Sequence, residues 1–478
     1  MSSRESLFVD VRIQAVKLIR PLLFVLTSVA LIHGQAVRRV SLLIDGGIVV
    51  SIDETHHVYN PGAVAVDGAE IVAVGAATEI RQRFRAADRI DATGDVVLPG
   101  LINTHTHAPM VLYRGLADDL PLQEWLEKYI FPAEAKTVSR EMVRIGTRLA
   151  AAEMIQSGTT TFVDMYYFEE EIARVAKAAG LRGVLGQTII KFPVADAKTP
   201  AEGLARTEAF IKEFQHDDLI TPAVAPHAPY TNDASTLRDA RALATKYGMP
   251  LISHVSETSS EVKESQTAHA GMSPVAYLDS IQFFGPRTLL AHAVWTSADD
   301  IAILKRHAVG VSHNPESNMK LASGIAPVPA YLAAGIAVGL GTDGAASNND
   351  LDMFEAMRQA SFLAKHAEHD PTVVPAQTAL DMATIGGARA LGMAEAIGSL
   401  EAGKRADLIA VSVGAPRQTP LYEPISHLVY TTRGDDVRTT IVNGRVLMKD
   451  RQVRTLDRAA VIADATRLAA RVRAAVGR

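Results

Sequence analysis

The period of the apolar positions changes along this chain. From Val40 to Leu98 they form short β-branched runs, Leu42 to Ile44, Ile48 to Ile52, Ala63 to Val66 and Ile71 to Val74, broken by Gly and Asp. That is the pattern of a small sheet. Past Leu98 the spacing lengthens: Met142, Ile145, Leu149, Ala152 and Ile155 recur every three or four residues and stop at Gly158, which predicts an amphipathic helix ended by glycine. A buried strand, Thr159 to Met165, follows at once. The alternation then repeats through Gly183 to Ile190, Pro222 to Ala228, Pro250 to Val255, Thr288 to Val294, Val309 to His313 and Ile336 to Thr342. With Leu101 to Thr106 these make eight strands, most of them separated by helical patterns, and the expected fold is a (β/α)8 TIM barrel. Sheet texture returns in Asp407 to Val411 and Thr439 to Val442, the latter followed by the hairpin signal Asn443-Gly444.

These changes divide the 478 residues into a leader, 1–36, a small β domain from 37–98 and 399–452, a barrel over 99–398 and a C-terminal helix over 453–478. The two β stretches are expected to fold together as one discontinuous β-sandwich. Length alone would allow three domains of about 150 residues, but a barrel takes about 250 as a single one. In the leader, Lys17 and Arg20 precede an apolar run, Pro21 to Ile32, with small residues in His33-Gly34-Gln35-Ala36. This reads as a secretory signal peptide, against an upstream start or an amphipathic helix. Cleaved, it would leave a periplasmic or secreted protein with no stable membrane span; otherwise the protein is expected in the cytoplasm.

Composition narrows the chemistry. With 48% hydrophobic residues the chain has material for a large core, and 48 Lys plus Arg against 53 Asp plus Glu, with no long basic run, exclude nucleic acid as the expected partner. Cysteine is absent. Disulfides, thiolate nucleophiles and Cys-containing zinc sites are excluded with it, so any metal must be held by His, Asp or Glu.

In such a barrel the chemistry sits at the C-terminal ends of the strands. There the sequence places His105 and His107, Asp164, Gln187, His227, His254, His292, His313 and Asp343. His105-Thr106-His107 alternates on a strand, which points both imidazoles into the barrel at a separation suited to one shared metal. Buried without a metal, the pair would be two costly polar rings. His254 and Asp343 complete a set of three nitrogens and one oxygen. Asp164 reads as structural, while His227 and His313 read either as supports or as structural residues.

Together these residues resemble the amidohydrolase superfamily and, within it, the S-adenosylhomocysteine and 5'-methylthioadenosine deaminases. The resemblance is carried by Pro99 to Leu116, Phe162 to Tyr166, Ala225 to Tyr230, Ser253 to Thr258, Ser312 to Leu321 and Gly341 to Asn349, and runs from about Val40 to about Arg451. It implies a substrate contact at His227 and a clamp on ribose hydroxyls at Glu134, where a carboxylate can accept two hydrogen bonds. Trp125 reads either as a cover over the site or as core. Where the family often has Arg after the third strand this chain has Gln187, and the following loop offers Lys191 and Lys198 but no Arg. A lysine matches a carboxylate less well than a guanidinium does. The expected substrate is therefore 5'-methylthioadenosine, 5'-deoxyadenosine or adenosine ahead of S-adenosylhomocysteine.

The metal is expected to be one Zn2+, with Fe2+ or another divalent ion as alternative, lowering the pKa of bound water toward roughly 7. Asp343 would take the water's proton, Glu257 would protonate a ring nitrogen and then the leaving amine, and His292 would orient the attacking oxygen. Rival readings are a guanine or pterin deaminase, a triazine hydrolase and, in a different class, a barrel kept as a scaffold. Binuclear amide hydrolases generally carry a lysine on the fourth strand, and Thr221 to Tyr230 has none. Homo-oligomerisation stays open.

Overall fold

The computed structural model describes residues 37–476; the expected leader lies outside the described residues. Eight parallel strands close into a barrel: Leu101–Thr106, Thr159–Tyr166, Arg182–Ile189, Ile220–Pro226, Leu251–Val255, Thr288–His292, Gly310–His313 and Val338–Leu340. All eight match the expected segments, with ends that shift by at most two residues. Each is covered on both faces, by barrel interior and by helices, which is why it reads as an almost unbroken apolar run. The eighth strand is shorter than expected because the chain leaves the ladder at Gly341, and Asp343, at φ 62°, lies beyond it in left-handed backbone. On the fourth strand Pro226 closes the strand one residue before His227.

The first long helix, Arg140–Ser157, is capped by the Ser139 side chain accepting from Met142 N at 3.2 Å and ends at Gly158, φ 89°. A Cβ there would meet Ile409 Cδ1 at 2.9 Å, so glycine serves both the turn and the close approach of the small β domain.

Two sheets build that β region. One orders Glu70–Ala76, Gly62–Asp67, Arg38–Asp45 and Phe84–Asp91; the other runs through Gln452–Val453, Arg445–Lys449, Val437–Val442, Leu408–Ser412, Asp95–Pro99, Ile48–Val50 and Val58–Tyr59. Leu42, Ile44, Val64 and Val66 of the first share one buried cluster with Val49, Val97, Leu408 and Ile441 of the second, which is the sandwich core. The ends of the chain meet in antiparallel register, Leu408 opposite Pro99 and Val411 opposite Val96. Asn443 and Gly444, at φ 51° and 74°, make the expected tight hairpin between Val437–Val442 and Arg445–Lys449. The other face of the second sheet, including Val96, Leu98, Ile409 and Val411, joins the core of the barrel. A buried Arg182 crosses the same boundary: its guanidinium donates to both Asp407 oxygens, at 2.7 and 3.2 Å, and to Asp218 O at 2.8 Å. The final helix, Arg458–Val476, buries Val461, Ala465, Leu468 and Val472 along one stripe. No helix among the described residues is long and apolar enough to cross a membrane.

Candidate active site

At the C-terminal mouth of the barrel the first strand delivers His105 and His107, two positions apart and therefore on one face. His254 Nε2 lies 3.1 Å from His105 Nε2 and 3.3 Å from His107 Nε2. Asp343 Oδ1 lies 3.3 Å from each of the first pair. Four ligands at the usual zinc–nitrogen distance of about 2.0–2.1 Å would be separated by roughly 3.3–3.4 Å at tetrahedral angles, so the spacing fits one small divalent ion. Hydrogen bonds set the donor atoms. His107 Nδ1 is 2.7 Å from Met165 O and His254 Nδ1 is 2.7 Å from His227 O; a carbonyl can only accept, so each Nδ1 carries the proton and each Nε2 presents its lone pair.

Asp343 is held just as firmly. Its Oδ2 accepts from Ser317 Oγ at 2.7 Å and Ser347 Oγ at 3.0 Å, while Gly344 N donates to Oδ1 at 2.8 Å. Burial works against its charge, but the neighbouring His105 and His107 imidazoles keep the carboxyl well below the ordinary value. His292, at φ 72°, donates from Nδ1 to Asn318 Oδ1 at 2.9 Å. That turns its Nε2 toward Glu257 Oε2, 3.7 Å away, and Asp343 Oδ2, 4.0 Å away. Glu257 is 4% exposed; burial raises its pKa against the pull of His292, and Ser323 Oγ donates to its Oε1 at 3.4 Å.

One cavity joins these groups. Its lining includes His107, His227, His254, Glu257, His292 and Asp343 on the barrel side, with Trp125, Leu126, Phe131 and Glu134 opposite, supplied by the segment after the first strand. Glu134, in the helix Phe131–Thr137, accepts from Tyr166 OH at 2.7 Å, and burial pushes its carboxyl up to about 7. His227 pairs through Nδ1 with Thr231 Oγ1 at 3.1 Å; burial first, then repulsion from His107, holds it down to about 3. A ring with so low a pKa is neutral at pH 7 and can accept as well as donate.

Of the four substrate contacts expected from the sequence, Glu134, His227 and Trp125 line this cavity and Gln187 does not. The adjacent Thr188 lines the cavity and Gln187, facing the other way, does not; its amide donates to Asp196 Oδ2 at 2.9 Å and Thr188 O at 3.3 Å. His313 is likewise outside the lining, and Lys191 donates to Tyr230 O at 2.9 Å. Asp164 accepts from Thr106 Oγ1 at 2.7 Å and Ala108 N at 2.5 Å, which fixes the strand end that bears the first two histidines. Sequence reading missed Tyr166, Ser317, Asn318, Ser323 and Ser347. The polar pair Ser317-Asn318, just past a strand end at the mouth, was the available signal.

The Amidohydrolase family profile matches residues 96–447, most of the chain, with the barrel and its histidine–aspartate cluster inside the match. This chain belongs to the amidohydrolase family. Among family members, it is 50% identical over 419 residues to a 5-methylthioadenosine/S-adenosylhomocysteine deaminase of Syntrophobacter fumaroxidans, covering 88% of this chain and 95% of that one. It is 43% identical over 430 residues to a 5'-deoxyadenosine deaminase of Methanosarcina mazei, covering 90% and 97%. The crystal structure of an adenosine deaminase from Xanthomonas campestris with bound zinc superposes with a TM-score of 0.90 at 40% identity, covering 92% of this chain and all of that one. The amidohydrolase barrel and sandwich described above are thus shared with a zinc-bound relative, and the donor set here suits one metal ion.

Proposed function

We propose that this amidohydrolase is a zinc-dependent hydrolytic deaminase of adenine nucleosides, converting 5'-methylthioadenosine, S-adenosylhomocysteine or a related 5'-substituted adenosine to the inosine derivative and ammonia. The observation that carries it is the sharing of one cavity by His107, His254 and Asp343, which converge with His105 behind them, by the protonatable Glu257, and by Glu134. A divalent ion held by His105, His107, His254 and Asp343 supplies Lewis-acid activation of water at neutral pH. Asp343 receives the water's proton. Glu257, which burial biases toward its protonated form, gives its proton to the purine ring nitrogen beside the amino-bearing carbon and so makes that carbon electrophilic. His292, fixed by Asn318, directs its free nitrogen to the same side and steadies the attacking oxygen. The proton that Asp343 took from water then passes to the amine, which leaves as ammonia, and the oxygen's remaining proton restores Glu257 as the ring carbonyl forms. Glu134 accepts from the ribose hydroxyls, and His227 meets the base.

The wall around Leu122, Leu126 and Phe131 is apolar, and the lining among the described residues contains neither Arg nor Lys. This favours a small apolar 5' substituent over a charged homocysteine tail. The test is ammonia release by the zinc-loaded full chain from 5'-methylthioadenosine, 5'-deoxyadenosine, adenosine, S-adenosylhomocysteine, guanine and an aminotriazine. Turnover confined to adenine nucleosides, with kcat/KM highest for the apolar 5' groups, is expected. Ammonia from guanine or the triazine but from no adenosine would overturn the assignment.

A further inference from the structure

The turn that carries Glu257 is built with more restraint than a proton carrier by itself requires. Ser256 sits at φ 56°, left-handed backbone that a residue with a Cβ keeps only where its surroundings hold it. Both of its main-chain polar groups are tied down. The carbonyl accepts from Val294 N at 3.0 Å and Trp295 N at 2.9 Å, and the N–H donates to Glu261 Oε1 at 2.8 Å. Glu261 Oε2 accepts from Glu257 N at 2.7 Å. One buried carboxylate thus grips two consecutive peptide N–H groups, the second of them belonging to Glu257 itself.

This grip is a diverted helix cap. Thr258 caps the helix Ser259–Ala268 by accepting from Glu261 N at 3.2 Å. In a Thr-x-x-Glu cap the glutamate ordinarily reaches back to the N–H of the cap residue. Here it passes Thr258 and accepts from the N–H groups one and two residues before it. Burial pushes its carboxyl up to about 7, against the pull of the two N–H groups. Starting a helix would be served by the nearer N–H; reaching past it serves the turn.

We infer that Glu261 is a positioning residue for the reaction: by holding the N–H groups of Ser256 and Glu257 it fixes the direction in which the Glu257 carboxyl enters the cavity, 3.7 Å from His292 Nε2. Ser323 steadies the far end, donating to Glu257 Oε1 while its own carbonyl accepts from Trp295 Nε1 at 2.5 Å. The inference rests on the reading of Glu257 as the proton carrier.

Steady-state rates on 5'-methylthioadenosine, with bound metal measured on the same samples, test it in the zinc-loaded full chain. The set is wild type, Glu257→Gln, Glu261→Gln and Glu261→Asp. Glu261→Gln keeps the shape but sets an amide NH2 against one of the two peptide donors. A fall in kcat of about 10- to 100-fold is expected, with KM within about threefold and metal content at the wild-type level. Glu261→Asp, which keeps the charge, should recover part of that kcat. A Glu261→Gln enzyme within about twofold of wild-type kcat, or one that loses kcat, KM and metal together, overturns the inference. Should Glu261→Gln not accumulate in folded form, Glu261→Asp decides alone: lowered kcat at unchanged KM and metal supports the clamp, and anything else overturns it. Wild type inert on every adenine nucleoside, or Glu257→Gln as fast as wild type, would sink the functional reading and the clamp with it.

Discussion

Two recesses in this molecule differ in the opposite sense to what their sizes suggest. A cleft of about 780 Å³ opens beside the helix Arg140–Ser157, lined by charged residues that include Glu153, Asp352, Arg358, Arg433 and Arg451. The histidine cavity measures about 60 Å³. In the large cleft several of these groups are already bonded into the fold. Arg451 Nη1 donates to the carbonyls of Gln156, Gly434 and Val437 at 2.6, 3.1 and 3.0 Å. Arg358 donates to Thr432 O at 2.6 Å, and Asp352 accepts from Phe354 N and Gly434 N, both at 2.9 Å. In the small cavity the protein satisfies the outer nitrogens of His107 and His254 and leaves their inner nitrogens converging on His105 and Asp343. Polar groups closed upon the backbone hold a fold together, while groups aimed at one another with no proton between them await a ligand.

The sharpest break of this contrast is His254→Ala. Losing one of four converging donors should remove the bound metal and lower kcat/KM by about 10³-fold or more, the kinetic equivalent of the several kcal/mol a Lewis acid supplies. Metal analysis beside the rate measurement checks it, and full activity with no metal would refute the site. A smaller effect concerns pH. With the Glu134 carboxyl at about 7, its ionised fraction falls roughly tenfold between pH 8 and pH 6, and KM for ribonucleosides should rise by about that factor over the window. The sign follows from burial raising the pKa: the accepting, ionised form is the one lost as pH falls. A 2',3'-dideoxy analogue should not share the rise, and a KM flat across this range would remove Glu134 from ribose binding. In the large cleft, Arg451→Ala is expected to leave kcat and KM unaltered. It removes three bonds to carbonyls at a cost of about 1.5–3 kcal/mol, which should lower Tm by several degrees. Thermal unfolding and steady-state rates on the same sample test this; a fall in kcat without a fall in Tm would mean the cleft takes part in the chemistry.

The barrel was legible because its strands are buried on both faces and so stand out as apolar runs with helical spacing between them. His105-Thr106-His107 was legible because alternation alone puts both rings on one side. Residues that work through long-range contacts were not. Asn318 meets His292 across 26 residues of chain and Ser323 meets Glu257 across 66, and beyond the polarity of the Ser317-Asn318 pair nothing local marks either as the partner of a site residue. Gln187 was drawn toward the cavity by its place at a strand end, where a shift of a single position reverses the face. Glu261 lay in plain view as the fourth residue of a Thr-x-x-Glu cap, but the direction its side chain takes depends on the left-handed turn at Ser256.

The strand Asp95–Pro99 has Ile48–Val50 on one flank and Leu408–Ser412 on the other. On the ribosome the first neighbour exists almost at once, whereas the second is about 300 residues away, roughly 15–60 s of synthesis at 5–20 residues per second. For that interval the nascent protein carries an open apolar edge whose only native cover has yet to be made. Chains halted before Leu408 should therefore scatter light as aggregates even where the barrel segment is complete, and the burden of keeping this protein soluble falls on the time of its making.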